Sequence, residues 1–368
     1  MTEPDLPIIP LSTWCAADAP VIVCGPCSAE TREQVMATAE GIAAMGRQII
    51  FRSGIWKPRT RPGNFEGIGE IGLEWLREVK EKFGFLTATE VANATHVEAC
   101  LKAGVDVLWI GARTTVNPFS VQEIADALKG VDVPVMIKNP IHPDISLWQG
   151  AIERISGVGI KKLAAIHRGF QHHDNYPYRN RPDWDLAIEL RRRFPKLPMI
   201  CDVSHISGNP ALIPRLSQRA MDLGMAGLLI ETHVDPPSAL SDAKQQVTPP
   251  ELAEIIGNLD IRSEQSGDAD FEAELSTMRD RIDLIDQELI RVLGRRRAAV
   301  AEIARHKMKK GITPFQIRRW REIYAHYERL GTDVGLSANF ITQLGQLIHR
   351  YSIDLQEEEM NPNGGTAQ

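Results

Sequence analysis

The sequence predicts a closed parallel (β/α)8 barrel, an α/β fold, followed by a separate all-α unit of three helices. Three observations carry that expectation. Across the first 260 residues, eight short runs rich in Val, Ile and Leu alternate with eight amphipathic stretches, the pattern of a parallel sheet covered by helices. No Gly-x-Gly-x-x-Gly follows the first strand, which argues against an open doubly wound sheet. Beyond the polar, glycine-containing stretch Ser263–Ala269 the rhythm changes, and no proline occurs from Phe271 to Lys310.

The predicted strands are Val21–Cys24, Ile49–Arg52, Phe85–Thr89, Val107–Ile110, Val133–Lys138, Leu163–His167, Met199–Val203 and Gly227–Glu231. The helices between them are Thr31–Ala44, Ile71–Phe83, Val97–Ala103, Val121–Leu128, Leu147–Ile155, Trp184–Phe194, Ala211–Leu223 and Pro249–Ile256. In the second unit Leu275, Met278, Ile282, Ile285, Leu289 and Val292 recur at steps of three and four, the seam of a helix bundle. Two further helices are predicted over Phe315–Leu330 and Ala338–Leu355. The expected division is a barrel over 1–262, a linker over 263–270, a helical domain over 271–358 and a flexible tail over 359–368.

The chain has 368 residues, ample for two cores, with 43% hydrophobic and 24% charged residues, as in ordinary globular proteins. Its formal charge of −6 argues against bulk attraction to nucleic acid or anionic membrane. No apolar run approaches the ~18 residues of a membrane span. The N-terminus lacks the features of a signal peptide. Five scattered cysteines favour a reducing compartment, so a cytoplasmic enzyme is expected.

Active sites of this fold gather at the carboxyl ends of the strands. Cys27 follows strand one, His205 follows strand seven, Glu231 ends strand eight and Asp242 lies in the next loop. Closure of the barrel would bring one thiol, one imidazole and two carboxylates together, a set that suits a divalent transition metal rather than magnesium or calcium. Singly, the Cys reads as a small buried apolar group and the His as a hydrogen-bonded one. Cys24 and Cys27 also form a C-x-x-C, which reads as redox-active or as half of a zinc site, the redox reading being disfavoured because no helix begins between them as that motif expects.

A second group is cationic. Arg52, Lys57 and Arg59 follow strand two, Arg113 follows strand four, Lys138 ends strand five and Arg168 follows strand six. So many cations at one mouth would repel one another unless a multiply charged anion binds there, and phosphorylated carboxylates fit best.

The motifs GPCSAE, KPRTRPG, IGARTTVNPF, IKN, IHRG, DVSH, IETH and SDAKQQ resemble the 3-deoxy-D-arabino-heptulosonate 7-phosphate (DAHP) synthases, in the branch shared with 3-deoxy-D-manno-octulosonate 8-phosphate synthases, over residues 20–250. The resemblance implies a TIM barrel that condenses phosphoenolpyruvate with erythrose 4-phosphate and releases phosphate. It implies metal ligation by Cys27, His205, Glu231 and Asp242, with Mn2+ first and Co2+, Fe2+ or Zn2+ as alternatives. Lys57, Arg113, Lys138 and Arg168 would bind phosphoenolpyruvate, Lys57 also serving as a proton donor. Arg59 and Thr60 would contact the aldose phosphate, and Arg52 joins the same anion-binding set. The Lys57–Thr60 segment KPRT separates the two family members, leaving the octulosonate synthase as the rival. The N-terminal regulatory domain common in the family is not expected, since strand one begins near residue 21.

In the second unit, Arg296 falls seven residues after Leu289 and faces the bundle interior, and Lys307 follows three turns later on the same face. Arg279 lies roughly 25 Å from Arg296 along a straight helix, so the two cannot readily grip one small ligand from a single chain. MRDRIDLIDQELIRVLGRRRAAVAEIARHK, FQIRRW and FITQLGQLIHRYSIDLQ resemble the all-helical chorismate mutases over residues 272–356. The resemblance implies that Arg296 and the Arg279 of a partner subunit clamp the carboxylates of chorismate. Lys307 and Gln356 would bind its ether oxygen, with Arg319 and Ser352 lining the pocket. Gln316 and Trp320 depart from the pattern, standing where many members carry acidic residues that meet the ring hydroxyl. The expected whole is a bifunctional shikimate-pathway enzyme, a homodimer through its helical domain, with prephenate or chorismate as candidate feedback ligand. The rival reading makes the bundle a dimerisation or ligand-sensing module only.

Overall fold

The computed structural model describes residues 6–15, 19–58, 63–263 and 266–361. The chain forms two compact units, Met1–Glu264 and Gln265–Gln368. Arg59 and Thr60 lie outside the described residues.

In the first unit eight strands alternate with helices. β1 (Val21–Gly25), α1 (Arg32–Ala43), β2 (Ile50–Arg52), α2 (Ile71–Phe83), β3 (Leu86–Val91) and α3 (Ala94–Ala103) come first. β4 (Val107–Ile110) is followed by the short α4 (Ala112–Thr115) and by α5 (Pro118–Ala127). Then come β5 (Val135–Lys138), α6 (Ile145–Gly157), β6 (Leu163–His167), α7 (Trp184–Arg193) and β7 (Met199–Asp202). α8 (Val203–Ser207), α9 (Ile213–Asp222), β8 (Gly227–Glu231) and α10 (Pro249–Gly257) complete the unit. The strands are parallel and close in chain order, with β1 paired to β8 from Val21↔Gly227 to Gly25↔Glu231.

Two helix starts differ from the hydrophobic pattern because of a cap. α3 begins at Ala94 rather than Val97 because the Asn93 side chain accepts from the His96 amide at 2.8 Å. α5 begins at Pro118 rather than Val121, with Asn117 as cap and proline in the first turn, where its missing N–H costs nothing. α10 starts with a reciprocal Thr248–Glu251 capping box.

Two apolar layers result from the period-two alternation of the strands. Ile22, Cys24, Phe51, Leu108, Ile110, Val135, Ile137 and Leu228 face outward and pack under the helices. Val21, Val23, Ile50, Ala88, Val107, Trp109, Met136, Ala164, Ile166, Ile200 and Leu229 fill the barrel. Cys24 therefore belongs to the helix layer, and all five cysteines are buried and unbridged.

The second unit consists of α11 (Ala269–Lys309), α12 (Ile317–Asp333) and α13 (Ala338–Met360). α13 continues to Met360, two residues into the segment expected as tail, and α11 begins two residues inside the expected linker. Val300, Ala301 and Ala304 are the buried residues of α11. The earlier part of its seam is open in this chain: Met278, Ile282, Ile285 and Leu289 are each 49–64% exposed. Among the described residues, no helix is long and apolar enough to cross a membrane.

Candidate active sites

Strand parity determines which side chains reach the barrel mouth. Ile50, Ala88, Met136, Ile166, Ile200 and Leu229 point inward, and two positions further along the same rows stand Arg52, Glu90, Lys138, Arg168, Asp202 and Glu231. Gly25 ends β1 at φ 135°, and a Cβ there would lie 2.2 Å from the Arg52 carbonyl oxygen. Only glycine permits that approach, which carries the chain on to Cys27.

Cys27 Sγ, a Glu231 oxygen and an Asp242 oxygen lie within 4.8 Å of one another. The Cys27 thiol is 3.5 Å from Asp242 Oδ2. His205 Nε2 lies 3.8 Å from Glu231 Oε1 and 3.7 Å from Asp242 Oδ2. Donors each about 2.0–2.3 Å from one ion would be separated by about 3–4 Å, so Cys27, Glu231 and Asp242 form a compact group whose chemistry suits a transition metal, with His205 at that spacing from the two carboxylates. The backbone at Asp242 is left-handed, with φ 51°, an uncommon conformation for a residue with a side chain.

His205 is oriented from behind. It sits on α8, whose N-cap Asp202 accepts from the His205 amide at 3.1 Å. The same carboxylate lies 2.9 Å from His205 Nδ1, which leaves Nε2 to face Glu231 and Asp242.

Electrostatics hold the carboxylates ionised. For Asp242, burial favours protonation, but the charges of His205, Arg179 and Lys57 outweigh it and keep the group well below the usual range. Glu231 is lowered in the same way, with burial opposed by His205 and Arg52. The Cys27 thiol goes the other way. Burial first, then the negative charges of Glu231 and Asp242, push it up to about 12 against the pull of Lys57 and Arg52. The thiol is therefore protonated until a cation arrives to take its thiolate.

The cations are better matched than the sequence suggested. Arg52 pairs with Glu231 at 2.6 Å, both fully buried, and Lys138 pairs with Asp202 at 2.7 Å. Lys57 Nζ donates to the Cys27 carbonyl at 2.8 Å. Arg168, by contrast, is buried and its Nη1 meets neutral groups, Asn180 Oδ1 at 2.9 Å and Gly169 O at 3.4 Å. Burial and the nearby charges of Arg179 and Arg113 push its guanidinium down to about 10, against the pull of Asp202 and Asp242. Arg113 is exposed on α4.

Four contributors were missed by the sequence reading. Asp202 and Trp109 were legible by parity: Asp202 links Lys138 to His205, and the Trp109 ring lies 4.9 Å beneath the Arg52 guanidinium and 5.8 Å from Lys138 Nζ. Arg179 comes from an irregular loop with no periodic signal and pairs with Asp242 at 3.1 Å. Gln245 Nε2 donates to Glu231 Oε2 at 2.6 Å.

The second unit brings Arg296, Ser352 and Gln356 together. Arg296 Nη1 donates to Ser352 Oγ at 2.6 Å, and Gln356 Nε2 donates to the Ser352 carbonyl at 3.0 Å. Lys307 Nζ donates to the Pro314 carbonyl at 2.7 Å, and partial burial lowers its pKa. Arg296 and Arg319 also line a cleft of about 620 Å³ with Glu322, His326 and Arg329. Arg319 is exposed and paired with Glu322 at 3.1 Å. Arg279 is exposed on the same unbroken helix as Arg296 and seventeen residues before it, so within this chain it is not gathered into the cluster. Gln316 is the N-cap of α12, and Trp320 stacks on His349 with centroids 3.7 Å apart.

Comparison with known proteins agrees with this division. Residues 13–264 match the DAHP synthetase I family, and residues 278–357 match chorismate mutase type II. A phospho-2-dehydro-3-deoxyheptonate aldolase of Thermotoga maritima is 34% identical over 226 residues, covering 61% of this chain and 64% of its own length. A 2-dehydro-3-deoxyphosphooctonate aldolase of Helicobacter pylori is 27% identical over 269 residues, covering 65% of this chain and 94% of the relative. The crystal structure of the Thermotoga maritima DAHP synthase superposes with a TM-score of 0.58 at 31% identity, over 64% of this chain and 67% of that one. The chain belongs to the DAHP synthetase I family and carries a chorismate mutase type II domain behind its barrel.

Proposed function

We propose that the barrel is a 3-deoxy-7-phosphoheptulonate synthase, a transferase joining phosphoenolpyruvate to erythrose 4-phosphate, and that the helical unit is an isomerase converting chorismate to prephenate. The chain would then be a bifunctional shikimate-pathway enzyme. The observation that carries the barrel reading is the cluster of Cys27, Glu231 and Asp242, with His205 Nε2 within 3.8 Å of the Glu231 and Asp242 carboxylates, beside buried Arg52, Lys138 and Arg168.

A divalent ion held by those four residues, Mn2+ in our reading with Co2+, Fe2+ and Zn2+ as alternatives, would supply Lewis acidity to the aldehyde carbonyl. Lys57, Arg113, Lys138 and Arg168 bind phosphoenolpyruvate, and Arg52 adds to the anion field. Arg59 and Thr60 hold the aldose phosphate. Gathering two anions that repel in water is an orientation effect worth up to ~7–11 kcal/mol. Carbon 3 of phosphoenolpyruvate attacks the aldehyde carbon, and Lys57 gives a proton to the new alkoxide. Water adds to the cation left at carbon 2 and gives up a proton, and the carbon 2–oxygen bond to the phosphoryl group breaks to release phosphate as the ketone forms.

In the helical unit, Arg296 and the partner subunit's Arg279 clamp the two carboxylates. Lys307 and Gln356 face the ether oxygen on which charge grows, and Ser352 and Arg319 line the pocket. A pericyclic rearrangement needs no covalent group, only a held conformer and stabilised charge. The open seam of α11 supports a second copy as the homodimer partner. Five unbridged thiols support a reducing, cytoplasmic setting. Prephenate bound to the bundle is the proposed feedback signal to the barrel.

Phosphate release from phosphoenolpyruvate, offered erythrose 4-phosphate or arabinose 5-phosphate with and without chelator, tests the barrel reading. Release with the four-carbon sugar, lost on chelation and restored by Mn2+, is expected. Preference for arabinose 5-phosphate would assign the octulosonate reaction instead, and full activity in excess chelator would overturn the metal assignment. Chorismate consumption tests the mutase reading against a purely sensing module. Synthase rate titrated with prephenate tests feedback, and a flat titration would refute it.

A further inference from the structure

α13 carries His349, Ser352 and Gln356 at steps of three and four, so the three lie along one face of the helix. Ser352 and Gln356 belong to the cluster around Arg296. His349 stands one turn before Ser352 in the same row, and its ring is held on two sides. The Trp320 ring lies nearly parallel to it, 3.7 Å away at 18°, and Phe315 closes another side at 5.9 Å.

The edge of that fixed ring is chemically unanswered. His349 Nε2 is buried and has no hydrogen-bond partner among the described residues, and the same holds for Gln356 Oε1. A buried polar atom left unpaired is costly, so two such atoms on one helix face beside a cation mark a place built to receive a polar ligand. Burial, then the charges of Arg296 and Lys307, hold the imidazole below its ordinary pKa. A neutral imidazole nitrogen is a poor partner for a carboxylate that already has guanidinium and ammonium groups to meet. It suits a hydroxyl, which both donates and accepts.

Chorismate has two carboxylates, an ether oxygen and one ring hydroxyl; the arginines answer the carboxylates, and Lys307 with an N–H of the Gln356 amide answers the ether oxygen. We propose that His349 Nε2 hydrogen-bonds the ring hydroxyl of chorismate, making His349 a binding and specificity residue of the helical pocket, with Trp320 as the positioning residue that fixes its ring. This rests on the mutase reading given above.

The test is chorismate consumption by the full-length wild type and its His349→Phe and His349→Gln variants, each with chorismate and with an analogue lacking the ring hydroxyl. Thermal melts check that each variant is folded. His349→Phe is expected to raise KM for chorismate about tenfold with kcat changed less than about threefold. His349→Gln, which keeps a polar edge, should recover part of the loss. With the deoxy analogue, wild type and His349→Phe should agree within about twofold. Should His349→Phe fail to fold, the comparison of wild type with His349→Gln on the two substrates decides in the same way. An unchanged KM for chorismate, or equal losses on both substrates, would overturn the role of His349 alone. A wild type that does not consume chorismate would overturn this proposal together with the mutase reading.

Discussion

Asp202 lies 2.9 Å from His205 Nδ1 and also caps the helix on which His205 sits. One carboxylate thereby sets both the position and the ring orientation of a candidate metal ligand, and its second task is to hold Lys138 at 2.7 Å. Asp202→Asn should weaken metal binding by about 10–100-fold, because the imidazole loses the partner that orients it and raises its basicity. Titration of phosphate release with Mn2+ would measure the shift. Unaltered metal dependence would show that the contact is structural only.

Arg296 reaches Ser352 at 2.6 Å from the C-terminal half of a 41-residue helix. Arg296→Ala should abolish chorismate consumption while phosphate release by the barrel remains measurable. Mutase turnover within a few-fold of wild type would place the pocket elsewhere.

The uncovered seam of α11 makes a prediction about assembly. Met278, Ile282, Ile285 and Leu289 present a continuous apolar row to solvent in the single chain, more than a lone helix normally exposes. The double substitution Ile285→Glu and Leu289→Glu should shift the chain from dimer to monomer in sedimentation experiments. If the partner's Arg279 completes the pocket, mutase activity should fall at least tenfold with it. A monomeric wild type would refute the pairing.

His167 is the source of an acid-sensitive step in stability. Its parity turns it away from the barrel mouth into an aromatic cage of Trp148, Phe170 and Trp184, with centroids 5.3–6.3 Å away. Burial, with a smaller push from Arg168, lowers its pKa from 6.5 to about 4. Because the unfolded chain binds the proton more readily, this group's contribution is complete above pH 6.5 and is lost as pH falls from there towards 4. The loss is of order 3 kcal/mol at most. Urea midpoints at pH 7 and pH 5 should differ less in His167→Phe than in wild type. Equal differences would show that other groups govern the acid limb.

Much of this was legible from residue order. Eight apolar runs with helical stretches between them specify a closed barrel because a parallel sheet must be covered on its outer face and filled on its inner one. The positions of Arg52, Lys138, Arg168 and Glu231 at strand ends followed from the same alternation, since parity carries each row to the mouth, whereas His205 is set by the Asp202 cap of α8. The helix α11 and the apolar row along it followed from a period near 3.6, but that row is exposed within this chain, where α11 buries Val300, Ala301 and Ala304 instead.

Tertiary structure alone decided how charges are shared. Residue order gave six cations and suggested that they await an anion, whereas the fold pairs Arg52 with Glu231 and Lys138 with Asp202, leaving Arg168 with neutral partners at its guanidinium. It also delivered Arg179 from an irregular loop to Asp242, and laid Trp320 of one helix flat against His349 of another. Periodicity reports which face of an element is turned inward. Which group it meets there depends on contacts between residues far apart in sequence, and those form only when the chain has folded.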